Sequence, residues 1–89
     1  MNQIKIGEFI SSQRKKKNLT QESLAAKLGI TDRAVSEWEQ GKGLPDISLM
    51  IDLCEILGIT ANELLNSEKT GMENNNQKTN SFYLKWRRN

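Results

Sequence analysis

The chain has 89 residues, enough for one small domain and a tail, and its composition is that of a globular protein. It contains no histidine, and Cys54 is its one cysteine. These counts exclude histidine-dependent catalysis, cysteine-based zinc sites and an internal disulfide. Since no run approaches the ~20 apolar residues of a membrane helix and residues 1–3 open no signal peptide, we expect a cytoplasmic protein without metal or cofactor.

The net charge of +2 is distributed unevenly along the chain. Residues 1–43 carry eight basic and five acidic side chains, whereas residues 44–70 carry one basic and five acidic side chains. Residues 71–89 are basic again, with four basic side chains and one acidic side chain. A positively charged amino-terminal half favours nucleic acid as a partner, although charge alone is weak evidence for it.

The first predicted helix covers residues 4–15, where apolar side chains recur at helical spacing. Its basic end, Arg14–Lys17, suits the negative end of the helix dipole. Asn18 can adopt the left-handed conformation that ends a helix. The next residues predict a second helix, because Thr20 can accept hydrogen bonds from the free backbone amides of a first turn.

The second and third predicted helices are separated by a very short connection. Gly29 ends the second helix, and Thr31 caps the third helix, which we place at residues 31–40. Only Gly29 and Ile30 lie between the second helix and this cap. Two helices joined by a short turn that contains glycine form a helix-turn-helix unit. The alternative is a helical hairpin that contributes only to stability.

Two further helices are predicted in the carboxyl-terminal part of the domain. Asp46 caps a fourth helix, which Gly58 ends. Thr60-Ala61-Asn62-Glu63 is a capping box, so a short fifth helix runs to about Leu65. Because none of these segments alternates with the period of a β-strand, we expect an all-α fold.

The composition changes after the fifth helix. Residues 66–80 are rich in Asn, Gln, Lys, Thr and Ser and cannot form a core. Residues 81–89 then mix aromatic with basic side chains. We therefore expect a helix-turn-helix domain over residues 4–66, followed by a polar C-terminal tail over residues 67–89.

Three roles stay open for the tail. It is a disordered end or the start of a longer region, or a segment that packs on a second copy and leaves Arg87 and Arg88 for DNA, or an interfacial membrane attachment. The second role rests on four apolar and aromatic side chains, which are Phe82, Tyr83, Leu84 and Trp86. The eight residues 82–89 are short for membrane attachment, so we give that role little weight.

Residues 6–65 resemble the DNA-binding domain of the phage lambda and 434 repressors, in the bacterial family named for the xenobiotic response element regulator. The matching segments are Leu19–Ile30, Val35–Lys42, Pro45, Leu53–Thr60 and Glu63–Leu65. The resemblance implies a compact five-helix domain whose third helix, residues 31–40, lies in the major groove of double-stranded DNA.

The position of the third helix in such complexes implies that Asp32, Arg33, Ser36 and Glu37 approach the bases. Arg33 is the leading candidate, because a guanidinium can bind both acceptors of guanine. Glu37 either accepts from a cytosine amino group or holds Arg33 as its i+4 neighbour. Asp32 is expected to stabilise the start of the helix electrostatically rather than to contact a base. The alternative for each of these charged side chains is that it lies on a solvated side of the helix and contacts no DNA.

Phosphate contacts are expected from Gln21, Thr31, Lys42 and Lys17. The amino terminus of the second helix attracts phosphate, and the family uses a glutamine at the position of Gln21.

In the relatives, an arginine at the position of Arg14 pairs with the acid at the position of Glu39. The resemblance therefore implies a structural ion pair between the first helix and the end of the third.

These features together predict a sequence-specific transcriptional regulator, and more specifically a repressor. We expect it to bind a palindromic operator in double-stranded DNA as a homodimer, with no membrane partner, and the sequence indicates no particular small-molecule effector. The alternative is an antitoxin or interaction module that uses the same fold to bind a protein. Since the chain has no histidine and no convergent catalytic constellation, we do not expect an enzyme.

Overall fold

The computed structural model of the protein describes residues 2–69, and within them it contains five helices and no strand. The helices are α1 (Gln3–Lys16), α2 (Gln21–Leu28), α3 (Asp32–Glu39), α4 (Ile47–Leu57) and α5 (Ala61–Asn66). The predicted all-α fold is confirmed. The expectations for the aromatic and basic segment at residues 81–89 lie outside the described residues.

Each predicted cap residue begins its helix. The side-chain oxygens of Thr20, Thr31, Asp46 and Thr60 each accept a hydrogen bond from the backbone N–H three residues later, at 2.9–3.2 Å. The capping box at Thr60 is present as predicted. An unpredicted cap begins α1, where the side-chain oxygen of Asn2 accepts from two backbone amides.

All five helices of the described part end in the same pair of backbone hydrogen bonds. After α3, the amide of Gly41 donates to the carbonyl of Trp38 at 3.1 Å, and the amide of Lys42 donates to that of Glu37 at 2.9 Å. This is the Schellman arrangement, which needs a residue in the left-handed conformation. Those residues are Asn18, Gly29, Gly41, Gly58 and Ser67. The pair after α3 holds the Lys42 backbone against the last turn of the helix.

The core draws side chains from all five helices. The largest fully buried ones are Ile6, Ile10, Leu24, Val35, Leu53, Leu57 and Leu64. Helix α3 packs against α1 and α2, so its opposite side faces solvent. Among the helices of residues 2–69, none combines the length and the apolar character that a bilayer crossing requires.

Gly7 allows α1 to approach the end of α3 unusually closely. A Cβ atom at this position would overlap the backbone carbonyl oxygen of Trp38 and lie 3.0 Å from the carbonyl group of Glu39. Because the obstacle is backbone, neither helix can relieve the overlap by rotating a side chain. The missing side chain at Gly7 therefore determines where the carboxyl end of α3 sits against α1.

Candidate nucleic-acid interface

Helices α2 and α3 form the predicted helix-turn-helix unit. Gly29 adopts the left-handed conformation with φ of 73°, and the amide of Ile30 donates back to the carbonyl of Ala25. On α3, Val35 is fully buried and Trp38 is 6% exposed. With 3.6 residues per turn, burial of these two side chains directs the other side of α3 away from the core.

Arg33 lies on the exposed side of α3 together with Glu37. Its side chain is 86% exposed, that of Glu37 is 49% exposed, and Nε of Arg33 lies 3.5 Å from Oε2 of Glu37. An exposed pair of this kind contributes only about 0.2–1 kcal/mol. Separating the two side chains therefore costs little free energy, and Glu37 can orient the guanidinium of Arg33.

The same side of α3 carries Ser36 and a residue that the sequence analysis missed, Gln40. The Gln40 amide donates to the Ser36 hydroxyl oxygen at 2.7 Å. Gln40 follows Arg33 by seven residues, so the helical period places both on one surface. This spacing could have identified Gln40 from the sequence. A glutamine amide can pair with adenine, which adds Gln40 to the candidate base contacts. Asp32 is exposed at the first position of α3, where a carboxylate complements the helix dipole.

Thr31 and Lys42 lie at the two ends of α3. The Thr31 hydroxyl oxygen accepts from the amide of Ala34 at 3.2 Å, which leaves its proton available for a phosphate oxygen. Lys42 is exposed, and its backbone is held by the hydrogen bonds that end the helix. Both donors therefore have positions defined relative to the candidate base contacts.

Gln21 is half-buried at the first position of α2, and its amide donates to Oε1 of Glu39 at 3.0 Å. An amide nitrogen carries two protons, so this contact leaves one donor for a phosphate. The hydrogen bond ties the start of α2 to the end of α3. It was not predicted, because nothing in the local sequence connects two residues that lie 18 positions apart.

The carboxylate of Glu39 also receives the guanidinium of Arg14. Nε and Nη2 of Arg14 lie 2.7 and 3.1 Å from the two oxygens of Glu39, and Nη1 donates to the carbonyl of Leu19 at 2.7 Å. The two side chains are only 11% and 7% exposed. This bidentate pair joins α1 to the end of α3 and to the residue before the α2 cap.

The environment of Glu39 lowers the pKa of its carboxyl group. Burial by itself would raise this pKa. Hydrogen bonds from Arg14 and Gln21, the positive charge of Arg14 and a further hydrogen bond from Ser11 outweigh burial, so the pKa lies below its ordinary value. Glu39 is therefore held in its charged form while it organises both neighbours.

The lowered pKa of Glu39 makes part of the free energy of unfolding depend on pH. This contribution is fully present above the ordinary glutamate pKa of about 4.3 and is lost as the pH falls through the lower pKa of the folded protein. We expect the urea midpoint to fall on acidification, and to fall less in the double variant Arg14→Met/Glu39→Met. The lowered pKa of Asp46 affects both proteins alike, so equal pH dependence in the two would contradict the assignment.

Lys17 is the fourth predicted phosphate contact. Its ammonium group lies beside Gly58, at the end of α4. It borders a shallow depression of about 350 Å³ with Leu19, Lys27 and Ile56. These neighbours belong to α2, α4 and the loop before α2. Within residues 2–69, no cluster of three or more potential metal ligands is present.

The helix-turn-helix family model matches residues 10–64, more than half of the chain. The HTH-type transcriptional activator BcrR of Enterococcus faecalis is 36% identical over 66 residues, which cover 74% of this chain and 32% of BcrR. YazB of Bacillus subtilis, described as an uncharacterized HTH-type transcriptional regulator, is 40% identical over 63 residues, or 71% of this chain and 91% of YazB. The chain thus matches about a third of the first relative and nearly all of the second.

Among solved structures, the DNA-binding domain of the P22 c2 repressor superposes with a TM-score of 0.67 at 29% identity. The superposition covers 85% of this chain and 96% of that domain. The matched residues 10–64 include α2, the turn and α3 in full. On its sequence and its arrangement of helices, the chain belongs to the helix-turn-helix family.

Proposed function

We propose that the protein is a sequence-specific DNA-binding transcriptional regulator that reads the major groove with α3. The observation that carries the proposal is the division of α3 into two sides. Val35 and Trp38 are buried, while Arg33 projects into solvent with 86% of its side chain exposed. The relatives described as transcriptional regulators, and the likeness to a repressor's DNA-binding domain, support this function.

We propose that one set of residues positions the protein on the DNA and that another set reads the bases. Gln21, Thr31 and Lys42 contact phosphates, which fix the register of the protein on the duplex without carrying sequence information. Arg33 then reads guanine, with Ser36, Glu37, Gln40 and Asp32 nearby. The hydrogen bond from Gln21 to Glu39 supports this division, because it links the phosphate contact on α2 to the last turn of the reading helix.

The protein is proposed to act in the cytoplasm as a homodimer on a palindromic operator, without a catalytic role. A two-fold symmetric dimer places two copies of α3 in successive major grooves, about 34–36 Å apart. Repression is the proposed outcome, supported by the likeness to the DNA-binding domain of the P22 c2 repressor. Residues 4–66 form the DNA-binding domain in this proposal.

Replacing Arg33 with alanine is expected to relax specificity at one position of each half-site, at a cost of about 1–3 kcal/mol for that base pair. The measurement is selection of bound sequences from a random DNA pool, compared with the wild-type protein. Wild type should yield two symmetric half-sites, and the variant should lose one guanine preference in each. Lys42→Ala should instead weaken all sequences alike and lower the salt dependence by about one unit.

Lys27→Ala is the matched control, because Lys27 is an exposed cation on α2 that lies beside α4. It should leave both selected sequence and salt dependence unchanged. A pool that never converges with the wild-type protein would overturn sequence-specific reading. Identical selected sequences for wild type and Arg33→Ala would leave the proposed function standing but remove Arg33 from it.

The second candidate is an interaction module that binds a partner protein. One observation favours keeping it: α4 and α5 expose three large apolar side chains, Ile47, Ile51 and Leu65, at 78%, 60% and 40%. Contiguous exposed apolar surface marks interaction sites in soluble proteins. A protein that binds a partner through this surface but selects no DNA sequence would satisfy this candidate and contradict the first.

A further inference from the structure

An apolar groove lies between α4 and α5. It has a volume of about 430 Å³ and is lined by Ile47, Met50, Ile51, Cys54, Ala61 and Leu65. Within residues 2–69, four large hydrophobic side chains are exposed, and three of them line this groove. DNA reading by α3 leaves the groove unexplained, since all six lining residues belong to α4 and α5.

We propose that the aromatic segment of the same chain, Phe82–Trp86, binds in this groove. The chain has five aromatic residues, and Phe9 and Trp38 are buried in the core. The other three, Phe82, Tyr83 and Trp86, all lie in this five-residue segment. A pocket of roughly 300–1,000 Å³ suits such large groups, and the apolar lining offers the environment that they bury into.

Charge favours this occupant over a second copy of the same surface. From Asp46 to Leu57 the chain has three acidic residues and no basic residue. The segment 81–89 is the reverse, with Lys85, Arg87 and Arg88 and no acid. A two-fold symmetric contact between two α4 surfaces would place this acidic helix against itself, whereas the segment brings cations to it.

The length of the connection favours binding within one chain. Lys69, the last described residue, lies against the domain, with Nζ 3.5 Å from the carbonyl oxygen of Gly58. Twelve residues, 70–81, separate Lys69 from Phe82. Twelve residues can reach at most about 40–43 Å, while the groove from Ile47 to Cys54 extends about 10 Å along α4. So short a tether produces an effective concentration of the order of mM, which favours the chain's own groove.

Trp86 fluorescence in the full chain tests the proposal. The chain has two tryptophans, so the difference between wild type and Trp86→Phe isolates the emission of Trp86. We expect Trp86 to be protected from acrylamide quenching, and Ile51→Asp to abolish that protection. Ile4→Asp is the matched control, because Ile4 is also 60% exposed but lies on α1. It should leave Trp86 protected, and circular dichroism verifies that both variants are folded.

A second measurement avoids changing the domain. The methyl resonance of Met50, which lines the groove, should shift when Phe82 and Trp86 are replaced by alanine in the full chain, because aromatic rings no longer lie over it. Trp86 that is fully quenchable in wild type, or an unmoved Met50 resonance, would overturn the proposal. So would protection that disappears on dilution together with a dimer, because the groove would then hold a second copy. None of these three results affects the proposal that α3 reads DNA.

Discussion

Replacing Glu39 with alanine is expected to lower the free energy of unfolding by about 3–5 kcal/mol. The substitution leaves the guanidinium of Arg14, only 11% exposed, without its carboxylate, and it removes the acceptor of Gln21. Loss of one partner from a buried ion pair is costly because the other charge stays buried and uncompensated. The measurement is urea unfolding followed by circular dichroism at neutral pH.

The matched control is Glu37→Ala, on the same helix and also paired with an arginine. Because that pair is exposed to solvent, its loss should cost no more than about 1 kcal/mol. Since small domains are stable by only ~3–5 kcal/mol, the Glu39 variant is compared with wild type in a stabilising osmolyte. The double variant Arg14→Met/Glu39→Met should recover much of the loss, because no unpaired charge remains. Equal costs for the two single alanine variants would contradict the role of the pair.

Gly7→Ala is expected to destabilise the domain by about 1–3 kcal/mol, against the usual effect of alanine in a helix. Helix propensity alone favours alanine over glycine by about 1 kcal/mol in the interior of α1. The packing of α1 against α3 reverses the sign, because the new Cβ overlaps the backbone carbonyl of Trp38. The two backbones must separate to admit it.

The control for Gly7→Ala is Glu8→Ala, an exposed position of the same helix that should change the free energy of unfolding by less than about 0.5 kcal/mol. Both variants are measured by thermal and urea unfolding. A second expected result is weaker DNA binding by Gly7→Ala at temperatures where it is folded, because the shifted carboxyl end of α3 carries Gln40 and Lys42. A Gly7→Ala protein that is more stable than wild type would refute the close approach.

The starts of the helices were predictable because a cap is a local interaction. Thr31 and Asp46 each bond a backbone amide three residues away, and the capping box of Thr60 with Glu63 closes over the same distance. The same holds for the helix ends, where Gly29 adopts the left-handed conformation that its missing side chain permits. The outward position of Arg33 was predictable as well, because it follows from the helical period.

The contacts that hold the candidate site in place were harder to predict from the sequence. The spacing of charges does not single out Arg14 and Glu39, which lie 25 residues apart, and their pairing was expected only from the resemblance to the phage repressors. Gln40 was missed although its position seven residues after Arg33 placed it on the same surface. For Lys17, a phosphate contact was expected from its place in the loop before α2; the structure places its ammonium beside Gly58, and the phosphate contact stays a prediction.

The sequence by itself therefore determined the five helices, the caps of α2 to α5, the residues that end α1, α2 and α4, and the side of α3 that faces outward, since each depends on contacts within a few residues. Only the tertiary structure decided that Gln21 reaches Glu39, that Gly7 meets the backbone of Trp38, and that an apolar groove opens between α4 and α5. These features join residues that are distant in the chain. They depend on how the helices pack, and no local pattern of hydrogen bonds or periodicity encodes that packing.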